Sequence, residues 1–377
     1  MLYSAHAPAL PGHRGPASPP PPHGRGRSLD RIARAMAAGL TVRPFEPADR
    51  ERWDAFVRAH PDSHFGQLSA WRDLVRDTYG CRPLYLLAER GGAVRGVLPL
   101  FERRAREPAL FSAPGGLLAE DEATAAALLE PAREELARGR LRYVELRDGR
   151  RAWPGLETSD EHVTLVLRLA ADPEAQWKAF DAKLRNQVRK GQKAGFAARW
   201  GHGGVGAFHR VMLENLRDLG TPMRDLPYYR RALEALAGAA DILVIEHGGE
   251  PAGAMFTVAH GDTLSDPWAS SLRRYFALCP NQVLYWEALQ RAIVRGLARF
   301  DFGRSQRGSN TFRFKEQWGA EPVQLYYQYA LGPGGRAPTL EEQKGGYALA
   351  VGVWRRLPLP LARVLGERAK RLFPEVM

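Results

Sequence analysis

The sequence predicts an α+β fold of two lobes, and three stretches carry that expectation. Asn281 to Gly319 reads as helix, strand and polar loop: Tyr285, Leu289, Ile293 and Leu297 recur every fourth residue, Arg299 to Gly303 alternates polar and apolar, and Arg304 to Asn310 is polar. Leu84 to Glu89 and Val94 to Phe101 are apolar runs about a Gly91-Gly92 turn. Ile242 to His247 and Pro251 to Val258 repeat that pattern about Gly248-Gly249, the kind of weak internal repeat a duplicated lobe leaves. A chain of 377 residues, 45% of them hydrophobic, is long enough to give each lobe its own core.

Taken in order, residues 1–38 are rich in Pro, Gly and Arg and have no apolar h-region. They read as a disordered extension, neither signal peptide nor membrane span, with Met1 or Met36 as the start. The first lobe, 39–160, opens with a strand at Leu40 and a helix led by Pro47. After its hairpin come an Ala-rich helix from Asp121 to Arg138 and a strand at Tyr143 to Arg147. The polar stretch Pro154 to Glu161 marks the junction.

The second lobe, 161–331, opens with a period-2 strand from Val163. Asp172-Pro-Glu then starts a helix whose stripe is Trp177, Phe180, Leu184 and Val188, ending toward Gly191 and Gly195. Helices follow at Phe208 to Leu219 and Pro227 to Ala237, and a strand at Thr263 to Ser271 holds Asp266 and Trp268. Residues 332–377 form a basic tail that Pro358 and Pro360 break into two short amphipathic helices. Such pieces suit an anionic membrane surface or a cap packed on the second lobe.

The net charge of +12 sits largely at the ends: residues 1–40 hold five Arg and one Asp, and residues 332–377 hold eight Lys or Arg and four Glu. The body is left with only +4, so total charge is no argument for a polyanionic partner. Cys81 and Cys279 lie too far apart for metal-type spacing and are too few for a disulfide framework, which suits a reducing cytoplasm. The histidines show no metal-like pairing. Gly303-Arg-Ser-Gln-Arg lacks the second glycine of a nucleophile elbow, which excludes the usual serine hydrolase motif.

Residues Pro280 to Ala292 (PNQVLYWEALQRA), then FDFGRS and FRFKEQWG, resemble the closing motif of FemAB-like GNAT acyltransferases, and more narrowly the FemAB-type proteins that accompany exosortase and PEP-CTERM systems. The resemblance runs from about Val42 through Tyr329 and into the tail. It implies tandem GNAT-like lobes, each a mixed, mostly antiparallel sheet with flanking helices. It also implies an acyl- or aminoacyltransferase acting on a peptidoglycan or exopolysaccharide precursor of the cell envelope. Lys315 matches the lysine at the family's acyl-transfer site, and Lys183, Arg185, Arg189 and Lys190 match a basic run in its phosphate-rich cleft.

The candidate catalytic residues are therefore Lys315, for charge stabilisation, and Asp301. Arg304 stands beside Asp301 across Gly303, either in the site or as its ion-pair partner. Arg185 and Arg189 are one helical turn apart, so both guanidiniums can reach one anion. With Lys183 and Lys190 they form a substrate-binding face or, read more simply, a solvated helix end. Asn281, Tyr285 and Trp268 complete the binding set; no metal is expected. One short basic face with no nucleic-acid module argues against duplex DNA. No bound cofactor is expected. The donor is a cosubstrate, aminoacyl-tRNA or acyl-CoA, and the glycine-free Leu278-Cys-Pro-Asn-Gln-Val at the helix start counts against acetyl-CoA. The competing reading is a non-enzymatic accessory protein of an envelope export system, in which Lys315 merely covers Phe312 and Trp318 with its stem.

Overall fold

The computed structural model describes residues 39–103, 108–337 and 347–372; the 1–38 extension lies outside them. The first lobe contributes β1 (Leu40–Pro44), β2 (Arg82–Arg90), β3 (Ala93–Arg103), β4 (Ala109–Pro114), β5 (Leu118–Ala119) and β6 (Tyr143–Gly149). Its helices are α1 (Arg50–Ala59), α2 (Ser69–Tyr79) and α3 (Glu122–Ala137). The second contributes β7 (Glu157–Arg168), β8 (Ala197–Trp200), β9 (Ala240–His247), β10 (Glu250–His260), β11 (Thr263–Ser271), β12 (Arg299–Gln306) and β13 (Glu321–Leu331). With them run α4 (Pro173–Ala179), α5 (Ala182–Lys193), α6 (Val205–Leu219), α7 (Leu226–Ala235), α8 (Pro280–Val294) and α9 (Asn310–Glu316), and the tail forms α10 (Tyr347–Trp354) and α11 (Leu359–Leu372).

All strands join one sheet in the order β1-β2-β3-β4-β6-β13-β7-β12-β11-β10-β9-β8, with β5 beside β3. Every pairing is antiparallel except β4 with β6 and β11 with β12, the two places where a helix carries the chain across to a parallel neighbour. The two glycine hairpins form as expected. Gly91 and Gly92 take φ of 58° and 78°, Gly248 and Gly249 of 59° and 82°, values that only glycine adopts freely. The last strand, β13, lies between β6 and β7, so the two lobes share a continuous ladder.

Three expectations need correcting. The helix begun at Asp172 is two helices, because Asp181 accepts the Leu184 amide at 2.6 Å and caps a fresh start just after Phe180. The polar loop from Arg304 begins as strand: β12 resumes pairing with β7 at Arg304↔Thr164 and runs to Gln306, so only Arg307 to Ser309 are left as the turn before the next helix. Its successor Asn310–Glu316 is a helix capped by Ser309. β7 also begins inside the polar junction, at Glu157.

The largest buried cluster belongs to both lobes, joining Trp53, Tyr85 and Phe101 to Phe208, Tyr229, Phe256 and Trp268. A second, around Tyr285, Leu289, Phe300 and Trp318, holds α8 to the sheet, and a third lies under α3. The tail packs on α6: Gly220 abuts Val351, and Arg217 donates to the Leu357 carbonyl at 2.9 Å.

Candidate active site

The site begins where β11 and β12 part. Thr263 to Ser265 pair with Arg299 to Asp301, and there the parallel ladder ends. On β11 the next residues are Asp266 and Pro267; proline has no N–H to continue a ladder, and the β10–β11 register slips at this level. On β12, Gly303 takes φ of 72° and the register against β7 slips between Asp301 and Arg304. Both strands thus turn aside together beneath α8 and α9, which breaks the ladder between Asp266 and Gly303.

Polar side chains gather at this break. The Tyr285 hydroxyl donates to Asp266 Oδ2 at 2.5 Å, while Asp266 Oδ1 is buried without a hydrogen-bond partner. Lys315, on α9, is only 3% exposed, which removes the surface reading. Its Nζ donates to the carbonyls of Gly303 at 2.8 Å and Arg304 at 3.0 Å, leaving one of three protons for another acceptor. Tyr285 stacks on Phe302 with centroids 5.2 Å apart and meets Phe314 edge-on, so aromatic rings exclude water from this pair.

Burial pushes the Asp266 carboxyl up to about 7, against the pull of the Lys315 charge and the Tyr285 hydrogen bond. Burial likewise pushes Lys315 down to about 8, with Asp266 and Asp301 opposing. Burial thus disfavours the charged form of both the carboxyl and the amine.

Asp301 is held by both lobes. Oδ1 accepts from Thr164 Oγ1 and from the Gly303 amide at 2.9 Å, and Oδ2 pairs with Arg150 of the first lobe at 2.8 Å. Its ion-pair partner is therefore Arg150 and not Arg304. Arg304 instead lies 3.6 Å from Asp148 and over the Tyr327 ring. His64, also from the first lobe, is held neutral by burial, its pKa lowered to about 4 with Asp301 opposing the shift.

The remaining candidates divide. Asn281, whose Oδ1 accepts from Ser271, lines a hollow of about 230 Å³ with Gln187, Cys279, Asn310 and Phe314 at the start of α8. Cys279 there takes φ of 60°, so this turn has the left-handed geometry without the glycine that usually supplies it. The cations of α5 lie on its outer side. Leu184, Val188 and Gly191 are buried on the inner side of α5, with Gly191 against Val283 of α8, while Lys183, Arg189 and Lys190 are exposed. The two arginines do not converge: Arg185 donates to the Phe180 carbonyl at 2.7 Å, and Arg189 lies over Trp177.

Trp268 belongs to a different constellation, which sequence reasoning missed. Arg224, 5% exposed, donates to the Tyr79 hydroxyl at 2.5 Å and lies 4.8 Å from the Tyr228 ring centre and 5.9 Å from that of Trp268. Its Nη2 and the Tyr228 hydroxyl are both buried without a partner, and no carboxylate pairs with it among the described residues. A buried guanidinium without a counter-charge is costly, and an anion entering this aromatic box from the lobe boundary would relieve that cost. Nothing in the sequence around Arg224 signals burial; Asp266 could have been singled out as an acid placed before proline inside a strand.

Comparison with known proteins gives this geometry a frame. Residues 145–316, from β6 through α9, match the family model of an acetyltransferase (GNAT) domain. The crystal structure of FemX is similar at TM-score 0.63 and 14% identity, over 76% of this chain and 96% of that one. A tandem GNAT protein from the clavulanic acid biosynthesis pathway is similar at TM-score 0.51 and 13% identity, over 78% and 99%. So is a conserved protein of unknown function from Bacteroides thetaiotaomicron, at TM-score 0.52 and 13% identity over the same shares. No curated protein matches. The fold is thus α+β with tandem GNAT-like lobes.

Proposed function

We propose that the protein is a FemAB-like acyl- or aminoacyltransferase that works in the cytoplasm on a phosphate-bearing precursor of the cell envelope, peptidoglycan or exopolysaccharide. The observation that carries this reading is the buried Asp266, Tyr285 and Lys315 group at the point where β11 and β12 separate, inside the segment that matches a GNAT domain.

Acyl transfer needs a proton acceptor for the incoming nucleophile and a positive group near the carbonyl oxygen as it gains charge. Asp266 Oδ1, unpaired, takes the proton from the acceptor's amine or hydroxyl as that atom bonds to the donor's carbonyl carbon; the bond from that carbon to the thiol sulfur of CoA or the ribose oxygen of tRNA then breaks, and the departing atom takes the proton back from Asp266. Lys315 holds its ammonium close by, fixed by two backbone carbonyls and so organised before the reaction begins. Asp301 keeps Gly303 and Arg150 in place and acts as a positioning residue. The hollow at Asn281 and the exposed Lys183, Arg189 and Lys190 serve the donor, aminoacyl-tRNA or acyl-CoA. The aromatic box of Arg224, Tyr79, Tyr228 and Trp268 takes an anionic group of the acceptor. Association with an exosortase and PEP-CTERM system belongs to the same proposal and extends it to exopolysaccharide.

One observation favours a second reading. Lys315 spends two of its protons on the backbone of β12, as a strut that braces the bend at Gly303 would. An accessory protein without activity needs no more than that. Incubating the protein with envelope precursors and either charged tRNA or acyl-CoA, and weighing the acceptor by mass spectrometry, separates the two. A gain of one acyl group, lost in Asp266→Asn, supports transfer; unchanged acceptors with every donor favour the strut.

A further inference from the structure

Helix α11 is apolar on two faces, and the second lobe covers one of them. Ala362 and Gly366 form the covered face, with Gly366 so close to Met223 that a Cβ would stand 2.9 Å from its carbonyl. Leu361, Val364 and Leu365 fall at i, i+3 and i+4 on the other face and are 52%, 47% and 39% exposed. Arg368 continues that stripe at i+7, Arg363 flanks it, and both are exposed. On α10, Val353 is 58% exposed, and Arg355 and Arg356 follow it at the surface. These four aliphatic residues are most of the large hydrophobic side chains that the described residues leave exposed; only Val294 and Val323 lie elsewhere.

We propose that this face docks on the surface of an anionic lipid bilayer, with α11 lying in the headgroup layer. Aliphatic side chains enter the acyl boundary while arginines on either side keep their guanidiniums among lipid phosphates, their stems adding apolar contact. Neither tail helix is long and apolar enough to span. Charge argues against a second copy of this chain as the occupant, because a two-fold contact would bring two sets of four arginines together. The face is also ready-made. Arg217 holds the Leu357 carbonyl and Val351 sits against Gly220, so docking orders little that is not ordered already. The inference stands whether or not the site transfers an acyl group.

Sedimentation of the full chain with vesicles tests it. Vesicles of equal parts phosphatidylglycerol and phosphatidylcholine should carry the protein down about tenfold better than phosphatidylcholine alone, and added salt should reduce the difference. Leu361→Gln with Leu365→Gln, and separately Arg363→Gln with Arg368→Gln, should each lower that binding about tenfold without shifting the melting temperature, since all four side chains are exposed. Equal binding to both vesicle types, or variants that bind like the parent, would overturn the proposal. So would a chain that ignores vesicles but forms dimers that the leucine variant dissolves, which would give the face to a second copy.

Discussion

The two lobes each bring a pair of parallel strands together, and they treat the gap between those strands in opposite ways. In the first lobe β4 and β6 pair at Ala109 to Phe111, slip, and pair again at Pro114↔Arg147. Ser112 Oγ takes the Arg147 amide at 2.9 Å, so a side chain closes the slip. Gln67, fully buried, fills the space beyond and donates to the Gly116 carbonyl at 3.0 Å; Gly115 lies so close that a Cβ would meet its amide at 2.6 Å. Glu145 and Arg147 pair with each other at 2.6 Å. In the second lobe, at the level of Ser112 stands Asp266, at that of Glu145 stands Asp301, and among the described residues no side-chain hydrogen bond runs from Asp266 to β12. One gap between the strands is plugged and internally neutral; the other holds a carboxyl with an unpaired oxygen and an amine that burial has weakened as a base. The lesson is that the strand–helix–strand unit is indifferent to chemistry, and that a few residues at one rung decide whether it stores function.

Matched substitutions sharpen that contrast, and the largest effect belongs to the second lobe. Asp266→Asn keeps the shape and removes the proton acceptor, so turnover should fall by about a hundredfold or more in a mass-spectrometric transfer assay. Ser112→Ala, at the same rung of the first lobe, should cost about 1 kcal/mol in denaturant unfolding and leave turnover alone. Equal losses of turnover at both positions would erase the distinction.

A smaller change is expected at the lobe boundary. Arg224→Met preserves much of the packing against Tyr79, Tyr228 and Trp268 but removes the charge, and acceptor affinity should weaken by about ten- to a hundredfold, or 1.4 to 2.7 kcal/mol. Isothermal titration with the precursor reads this directly; an unchanged affinity would assign the box to packing.

The smallest effect concerns pH. Burial and the neighbouring Arg304 lower His162 from 6.5 to about 4. The folded chain keeps it neutral where the unfolded chain would bind a proton, so stability should decline as pH falls from about 6.5 toward 4. One histidine can contribute at most about 1.4 kcal/mol per pH unit. His162→Gln should flatten that part of the stability curve, as chemical denaturation across the range would reveal. A slope that survives the substitution would move its origin to other groups, His64 first among them.

How much of this the sequence revealed depends on how local the cause is. The glycine hairpins were legible because each turn is made by adjacent residues in a conformation few others adopt. α8 and β12 were legible by their periods. β13 was not, because its place between β6 and β7 depends on partner residues 155 to 188 positions away in the chain. Asp181 split a helix whose apolar stripe ran on unbroken, so periodicity alone overlooked the cap. In the site, Lys315 and Asp301 stand in a quotable motif, but what surrounds them comes from Asp266, Thr164 and Arg150, and no spacing rule links those positions. Arg185 and Arg189 show the converse: correct spacing on a helix, with one guanidinium drawn to a nearby carbonyl and the other to an indole.

Lys315→Met, set beside Gln67→Leu, tests the account most directly. Each removes a buried side-chain donor to the backbone, one beside β12 in the second lobe and one beside β4 in the first, and each should cost about 1 to 3 kcal/mol of stability. With both variants folded at the assay temperature, single-turnover transfer at saturating acceptor should fall about a hundredfold or more in Lys315→Met and stay at the parent rate in Gln67→Leu. Parent-like transfer by a folded Lys315→Met protein would contradict the account and leave the lysine a strut.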